Sequence, residues 1–252
     1  MVNVLINGVF GKMGRKVAEI CQQNADKVKV VCGIDCFDSD TVFEFPIYDS
    51  FDKVTQKVDV IIDFSVASTL DNILKFATKN SVNAVLCTTG YTAEDIEKID
   101  QASNKIAIFR SANMSYAVNV LVSLVKKAAE QLGDFDVEII EKHHNQKKDA
   151  PSGTALMLAN AVKSVQADKY YTYGREGMVG KRDDKEIGIH AIRGGNIVGD
   201  HDVLFAGINE TITLSHQATD RSVFAIGAVK AAIYLGSKKT GKYNMQDIVD
   251  GN

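Results

Sequence analysis

The first 115 residues alternate short apolar, largely β-branched runs with stretches of helical period, and this alternation narrows the choice of fold more than anything else in the sequence. Residues 2–7, 28–35, 58–65, 83–89 and 106–111 are apolar almost throughout and read as strands. Between them, residues 69–80 put Leu70, Ile73, Leu74 and Ala77 on one helical face, and residues 93–102 follow the same period. Strands with no polar face are buried on both sides. With helices between them they build a parallel sheet covered on both faces.

The pattern then changes. A longer helix is expected at 117–132 and a strand at 136–143, followed by a loop and a helix at 154–165. After a polar, Gly- and Lys-rich stretch at 173–185 come three strand-like runs, 186–193, 197–205 and 210–218, with little helix between them. Gly194-Gly195 and Gly207-Ile208-Asn209 read as turns of antiparallel hairpins. A helix at 224–235 and a short tail close the chain. The expected architecture is α/β: a Rossmann-like doubly wound parallel sheet with a second, smaller α+β domain carrying a mixed or antiparallel sheet. Residues 1–114 with 225–252 would form the dinucleotide-binding domain, and 115–224 the substrate-binding and oligomerisation domain.

At 252 residues the chain is long enough for such a pair of cores. A net charge of −3 gives no reason to expect nucleic acid or an anionic membrane as partner. No apolar run approaches bilayer length. Met1-Val2-Asn3-Val4-Leu5-Ile6 lacks a basic region and runs straight into glycines, so it reads as a first strand and not as a signal peptide. Cys21, Cys32, Cys36 and Cys87 have no framework spacing and no His pair nearby. They read as reduced, buried or semi-buried packing residues of a cytoplasmic protein, and no metal is expected.

Directly after the first strand stands Gly8-Val9-Phe10-Gly11-Lys12-Met13-Gly14-Arg15, opening a helix. Glycines at 8, 11 and 14 permit a tight turn and close approach of backbone to ligand. The helix N-terminus offers unpaired N–H groups and partial positive charge to a pyrophosphate. Asp35, at the end of the second strand, can hold the adenosine ribose hydroxyls. The spacing is G-x-x-G-x-x-G, with Phe10 where the commoner form has its second glycine. A purely structural turn needs the same glycines, but the strand before, the helix after and the acid beyond favour a dinucleotide. Asp35 favours a free 2′-hydroxyl and repels a 2′-phosphate. Lys12 offers that phosphate a counter-charge, or is simply a solvated first-turn lysine.

A second constellation lies at His143-His144-Asn145-Gln146-Lys147-Lys148-Asp149-Ala150-Pro151-Ser152-Gly153-Thr154. Proline followed by small polar residues and the apolar run 155–161 is helix-start chemistry. Ser152, Gly153 and Thr154 would expose donors at a helix N-terminus, a seat for a carboxylate. Lys147 adds positive charge, and the His pair supplies a group that titrates near neutral pH. A charged surface loop is the plain alternative. A metal site is disfavoured, because adjacent residues of a strand point to opposite faces and chelate poorly. The pocket therefore suits a small dianionic substrate and a proton donor.

At this point the sequence resembles the 4-hydroxy-tetrahydrodipicolinate reductase (dihydrodipicolinate reductase) family. The resemblance is carried by Gly8-x-x-Gly11-x-x-Gly14, Cys87-Thr88-Thr89-Gly90 and Ser111-Ala112-Asn113-Met114-Ser115. Its most specific part is Glu141-Lys142-His143-His144-x-x-Lys147-x-Asp149-x-Pro151-Ser152-Gly153-Thr154-Ala155, and it runs on through residues 192–201 and His216-x-Ala218. The resemblance implies an oxidoreductase of the diaminopimelate route to lysine, which transfers hydride from NADH or NADPH to a cyclic dicarboxylate imine. It implies His143 as acid/base, Lys147 as proton donor and substrate contact, and His144, Gly153 and Thr154 as carboxylate-binding residues. It also implies that Cys87, Thr88 and Thr89, with Ser111, Ala112, Asn113 and Met114, border the nicotinamide, and that the protein is a homotetramer built through the second domain's sheet. Two departures concern the adenosine end: many relatives carry a basic residue where this chain has Cys36, and a small one in place of Phe10. Another Rossmann oxidoreductase would not require the His-His-x-x-Lys and Pro-Ser-Gly-Thr elements. A dinucleotide sensor would have no use for His143 and Lys147.

Overall fold

The computed structural model describes residues 1–37 and 39–251. In chain order the elements of the first stretch are β1 (Val2–Asn7), α1 (Lys12–Gln23), β2 (Val28–Ile34), β3 (Ile47–Tyr48), β4 (Val60–Asp63), α2 (Leu70–Asn80), β5 (Asn83–Leu86), α3 (Ala93–Ala102) and β6 (Ala107–Phe109). Next come α4 (Tyr116–Gln131), β7 (Asp136–His143), α5 (Gly153–Lys163), β8 (Tyr170–Tyr173), β9 (Glu186–Arg193), β10 (Gly199–Ala206) and β11 (Thr211–Ala218). The chain closes with α6 (Ser222–Leu235), β12 (Gly241–Tyr243) and α7 (Met245–Val249). It divides into two compact units, Met1–Ser115 with Ser222–Asn252, and Tyr116–Arg221.

The described residues of the first unit form a parallel sheet in the order β12-β6-β5-β4-β1-β2-β3. Successive side chains of these strands point to opposite faces, and both faces are apolar. Leu5, Ile61, Ala84 and Ile108 pack with Leu70, Ile73, Ala77 and Ile99 of α2 and α3. On the other side lie α1 and α6, which also touch each other. Alpha-6 buries Ala225, Gly227, Ala228, Ala231 and Ala232, small residues that bring its backbone close to its neighbours. At Gly227 the approach is so close that a Cβ would overlap the Met114 carbonyl. The strand order reverses between β1 and β4, with β2 and β3 laid down on one side and β5 and β6 on the other, and an open α/β sheet forms its ligand crevice at such a point.

The second unit carries a mixed sheet, β11-β10-β7-β9-β8, with α4 and α5 on one face. Its core is Val137, Ile139, Ile187, Ile189, Val203 and Phe205, packed against Leu121, Val125, Leu158 and Val162. One expectation is corrected here. Gly207 does close an antiparallel β10–β11 hairpin, but β9 and β10 are not hairpin partners. β7 lies between them, parallel to β9 and antiparallel to β10. Its outward charges explain the insertion: Glu138 meets His190 of β9 at 2.7 Å, and Lys142 meets Asp202 of β10 at 2.9 Å. The four cysteines also divide: Cys21 and Cys32 are buried and Cys87 is half-buried, but Cys36 is exposed and packs against no core.

Candidate active site

The first unit builds its site from the carboxyl ends of β1, β2 and β4. Gly8 follows β1 with φ +79°, a conformation open to glycine, and a Cβ there would stand 2.7 Å from the Phe64 carbonyl oxygen. The Gly8 N–H donates to the Ile34 carbonyl (2.8 Å) and the Gly11 N–H to the Gly8 carbonyl (3.1 Å), closing the turn. A Cβ on Gly14 would lie 2.1 Å from the Gly8 oxygen, so α1 rests directly on the turn. Gly11 caps α1 without any side-chain bond, and no acid stands in its first turn. Its N-terminal N–H groups and positive dipole end are thus left for an anion.

A cavity of about 790 Å³ opens over this turn, lined by Gly8, Phe10, Gly11, Arg15, Asp35, Cys36 and Ser39 among others. Asp35 accepts from the Phe10 N–H (2.9 Å) and the Phe37 N–H (3.1 Å), which sets its carboxylate at the rim. Lys12 and Met13, on the first turn of α1, are not among the lining residues, and Val9 is fully buried in the core. Arg15 does line the cavity, as do Lys75 and Lys79. Arg15 Nε donates to the Phe10 carbonyl (2.8 Å) and its Nη2 to Ser39 Oγ (3.3 Å). Nothing in the sequence singled Arg15 out, because its place depends on where the chain after β2 runs.

Cys87, Thr88 and Thr89 follow β5, and Ser111 to Met114 follow β6, at the same carboxyl edge. Thr88 is buried and Thr89 exposed, while Met114 is buried under α6. Burial and the Asp63 carboxylate hold the Cys87 thiol well above its ordinary value, so no nucleophilic thiolate stands there. Asp63 is itself fully buried at the end of β4. It accepts from Asn7 Nδ2 (2.8 Å), Ser65 Oγ (2.5 Å) and Tyr91 OH (3.3 Å), a polar network that fixes the ends of β1 and β4. A dinucleotide fits these features: a glycine cradle a Cβ would fill, an uncapped helix head and an acid at the second strand's end.

In the second unit, Glu141 and His143 share one face of β7 because they are two residues apart. His143 Nδ1 lies 2.6 Å from Glu141 Oε2. Burial alone pushes the Glu141 carboxyl up, yet bonds from Arg193, His143 and the Ser152 N–H outweigh it and hold the group below the ordinary glutamate range. An ionised carboxylate only accepts, so His143 Nδ1 carries the proton of this bond and Nε2 is left for chemistry. Nε2 faces Gly199, where an added Cβ would come within 3.0 Å.

Ser152 caps α5: its Oγ accepts from the Ala155 N–H (3.1 Å) and lies 3.0 Å from His201 Nε2. Burial, with the neighbouring His143 imidazole, pulls His201 down to about 4, so it is neutral near pH 7. Gly153 and Thr154 open the helix, and no acid stands in its first turn. Lys147 Nζ is held 2.9 Å from Asp149, an exposed carboxylate that the lysine hydrogen bond lowers. His144 leaves the sheet face of His143, and its Nε2 lies 3.4 Å from Arg221 Nη2. The second unit thus brings His143, Ser152, Gly153 and Thr154 together around Glu141. Arg193 and His201 join them from distant parts of its chain, whereas Arg221 meets only the exposed side of His144. Among the described residues, no group of three or more His, Cys, Asp or Glu side chains is disposed to hold a metal ion.

Family models for dihydrodipicolinate reductase match the chain twice, the N-terminal model over residues 2–114 and the C-terminal model over 117–249. The chain belongs to the dihydrodipicolinate reductase family. It is 49% identical to the 4-hydroxy-tetrahydrodipicolinate reductase of Caldanaerobacter subterraneus subsp. tengcongensis, over 99% of this chain and 98% of the relative. With the enzyme of the same name from Clostridium tetani it shares 47% identity, over 97% and 96% of the two chains. A solved, dipicolinate-bound dihydrodipicolinate reductase from Paenisporosarcina sp. TG-14 superposes with a TM-score of 0.82 at 27% identity, covering 98% of this chain and 99% of the other.

Proposed function

We propose that the chain reduces the cyclic dicarboxylate imine derived from 4-hydroxy-tetrahydrodipicolinate to tetrahydrodipicolinate, in the diaminopimelate route to lysine. The reading is carried by the pair formed by His143 and the buried Glu141, 2.6 Å apart, beside a helix head without acids, in a chain that the family models match along nearly its full length.

The family uses NADH or NADPH, and the bound cofactor supplies the hydride. Gly8, Gly11 and the amides of the first turn of α1 would hold its pyrophosphate, with Val9, Lys12 and Met13 contributing backbone. Asp35 would take the adenosine ribose. Cys87, Thr88, Thr89, Ser111, Ala112, Asn113 and Met114 would border the nicotinamide. In the second unit the N–H groups of Gly153 and Thr154, with His144, bind substrate carboxylate; Ser152, expected from the sequence to join them, is buried with its N–H given to Glu141 and its Oγ capping α5, so it sets the helix head instead. Lys147 exchanges its exposed partner Asp149 for the dianion, a stronger and better desolvated counter-charge. His143 presents Nε2 to the substrate: with Nδ1–H held by Glu141, Nε2 takes up a second proton and delivers it to the ring once hydride has arrived, and Lys147 assists. The protein works in the cytoplasm as a homotetramer. The face of the second sheet opposite α4 and α5, which carries Ile140, Ile192 and Leu204, is suited to pairing with another copy.

The direct test is a coupled assay. Fresh condensation product of pyruvate and aspartate semialdehyde is added with NADH or NADPH, and the nicotinamide absorbance is followed. Absorbance falls only when that product is present. A folded sample that binds nucleotide but shows no loss with either cofactor refutes the activity.

Cofactor choice gives a second expected result. NADH is used at least as well as NADPH, because Asp35 repels a 2′-phosphate and Cys36 brings no charge. Asp35→Ala shifts preference towards NADPH. Arg15→Ala, more than Lys12→Ala, raises KM for NADPH while sparing NADH, since Arg15 lines the cavity. An unmodified enzyme preferring NADPH by more than about tenfold, roughly 1.4 kcal/mol, overturns this weighting of Asp35.

A further inference from the structure

Glu141 is fully buried and receives four hydrogen bonds. Oε2 accepts from His143 Nδ1 (2.6 Å) and Arg193 Nη1 (2.7 Å); Oε1 accepts from Arg193 Nη2 (2.8 Å) and the backbone N–H of Ser152 (3.0 Å). One carboxylate therefore touches both the imidazole and the residue that caps α5. Arg193 offsets its charge through a two-pronged pair and is itself tied to the Asp149 carbonyl at 2.7 Å. We propose that Glu141 is a positioning residue: it fixes the His143 tautomer with Nδ1 protonated, and through Ser152 it sets the head of α5 that receives the substrate carboxylate. The inference rests on the roles given above to His143 and to α5. It separates from an ion pair that only holds the fold by what an amide in the same place does.

In Glu141→Gln the side-chain shape is kept, but one oxygen becomes an NH2 donor facing donors. Its least costly orientation turns the NH2 towards His143, because imidazole alone among the four partners can switch from donating to accepting. His143 then places its proton on Nε2 and loses the protonated Nδ1 it needs when it carries charge. Glu141→Asp keeps the charge and the tautomer but shortens the reach, loosening the Ser152 N–H. The two variants thus order differently. Glu141→Asp leaves the larger packing defect, lowers the melting temperature more and raises KM for the dicarboxylate while retaining most of kcat. Glu141→Gln stays the more stable of the two but loses at least about tenfold in kcat, with nucleotide affinity unchanged.

The experiment measures both variants for melting, nucleotide titration and the KM and kcat split, together with ¹⁵N spectra of the imidazoles in the unmodified protein. The spectra are expected to show neutral His143 with its proton on Nδ1. If Glu141→Gln retains kcat within about threefold while Glu141→Asp is the worse catalyst, kcat follows stability and the positioning role is wrong. Should neither variant fold, the spectra decide, since a neutral His143 carrying its proton on Nε2 overturns the proposal without any variant. A His143→Ala enzyme of full activity refutes the proton-donor reading instead, so the two failures are distinct.

Discussion

Replacing His143 by alanine lowers kcat by roughly 10²- to 10⁴-fold, the range of a positioned proton donor, and leaves NADH affinity nearly unchanged. Its ring is buried and its Nδ1 is committed to Glu141, so the side chain has one nitrogen left to use and no solvated surface role. Lys147→Ala lowers kcat and also raises KM, because it removes a charge that holds the dianion in the ground state. His144→Ala acts chiefly on KM. Melting curves and nucleotide titrations on each variant come before kinetics. If His143→Ala and Lys147→Ala both stay within about threefold of the parent, far short of the proton-donor range, the mechanism fails. If both lose nucleotide binding, the division of labour fails.

Gly14→Ala abolishes tight nucleotide binding and destabilises the first unit. The new methyl would stand 2.1 Å from the Gly8 oxygen and 2.7 Å from Val9 Cα, both backbone atoms. Neither can retreat, since Gly8 N–H is bonded to the Ile34 carbonyl and Val9 is fully buried. Helix α1 must lift off the turn, which withdraws the N–H groups that face the pyrophosphate. Overpacking of this kind costs about 1–3 kcal/mol, and more where backbone meets backbone. Gly11→Ala is the control. Its φ of −65° suits any residue, and its Cβ would meet a single atom, the Gly8 oxygen at 3.1 Å. It weakens nucleotide binding by intruding on the cavity, with little loss of stability. Equal melting temperatures for Gly14→Ala and the parent would show that α1 does not rest on the turn.

The sequence discloses the strands of the first unit because they are continuous apolar runs, and the register of α2 because Leu70, Ile73, Leu74 and Ala77 share a face. Elements whose partners lie far along the chain are less legible. β3 is two residues long and exists because Gly33 and Ile34 offer it an edge. β12 joins β6 across more than half the protein. Alpha-7, by contrast, has a readable start: Asn244 and Asp247 form a capping box, with the Asn244 N–H bonded to Asp247 Oδ2 at 2.7 Å. The false β9–β10 hairpin came from a real turn at Gly194-Gly195, whose chain passes over β7 before pairing. At the site, the His pair and the helix head are visible as a local run of residue types. Glu141 is legible in principle, since Glu-x-His on a strand faces one way. Arg193, 52 residues on, is not, because only the β7–β9 register brings it there.

The chain leaves the first unit at Ser115 and re-enters it at Ser222, and the order of synthesis follows from that. The second unit is continuous in sequence, so all of it has been made while the sheet of the first still lacks α6, the layer over β4 and β5. Until then the small-residue face that meets Met114 is missing, and Asn83 Nδ2 has neither the Leu235 nor the Lys238 carbonyl to bond. A nascent chain therefore finishes its second unit first and its first unit last. A stop after residue 221 but before α6 is complete leaves the finished second unit attached to an open sheet, a substrate for quality-control proteases and not a weaker enzyme.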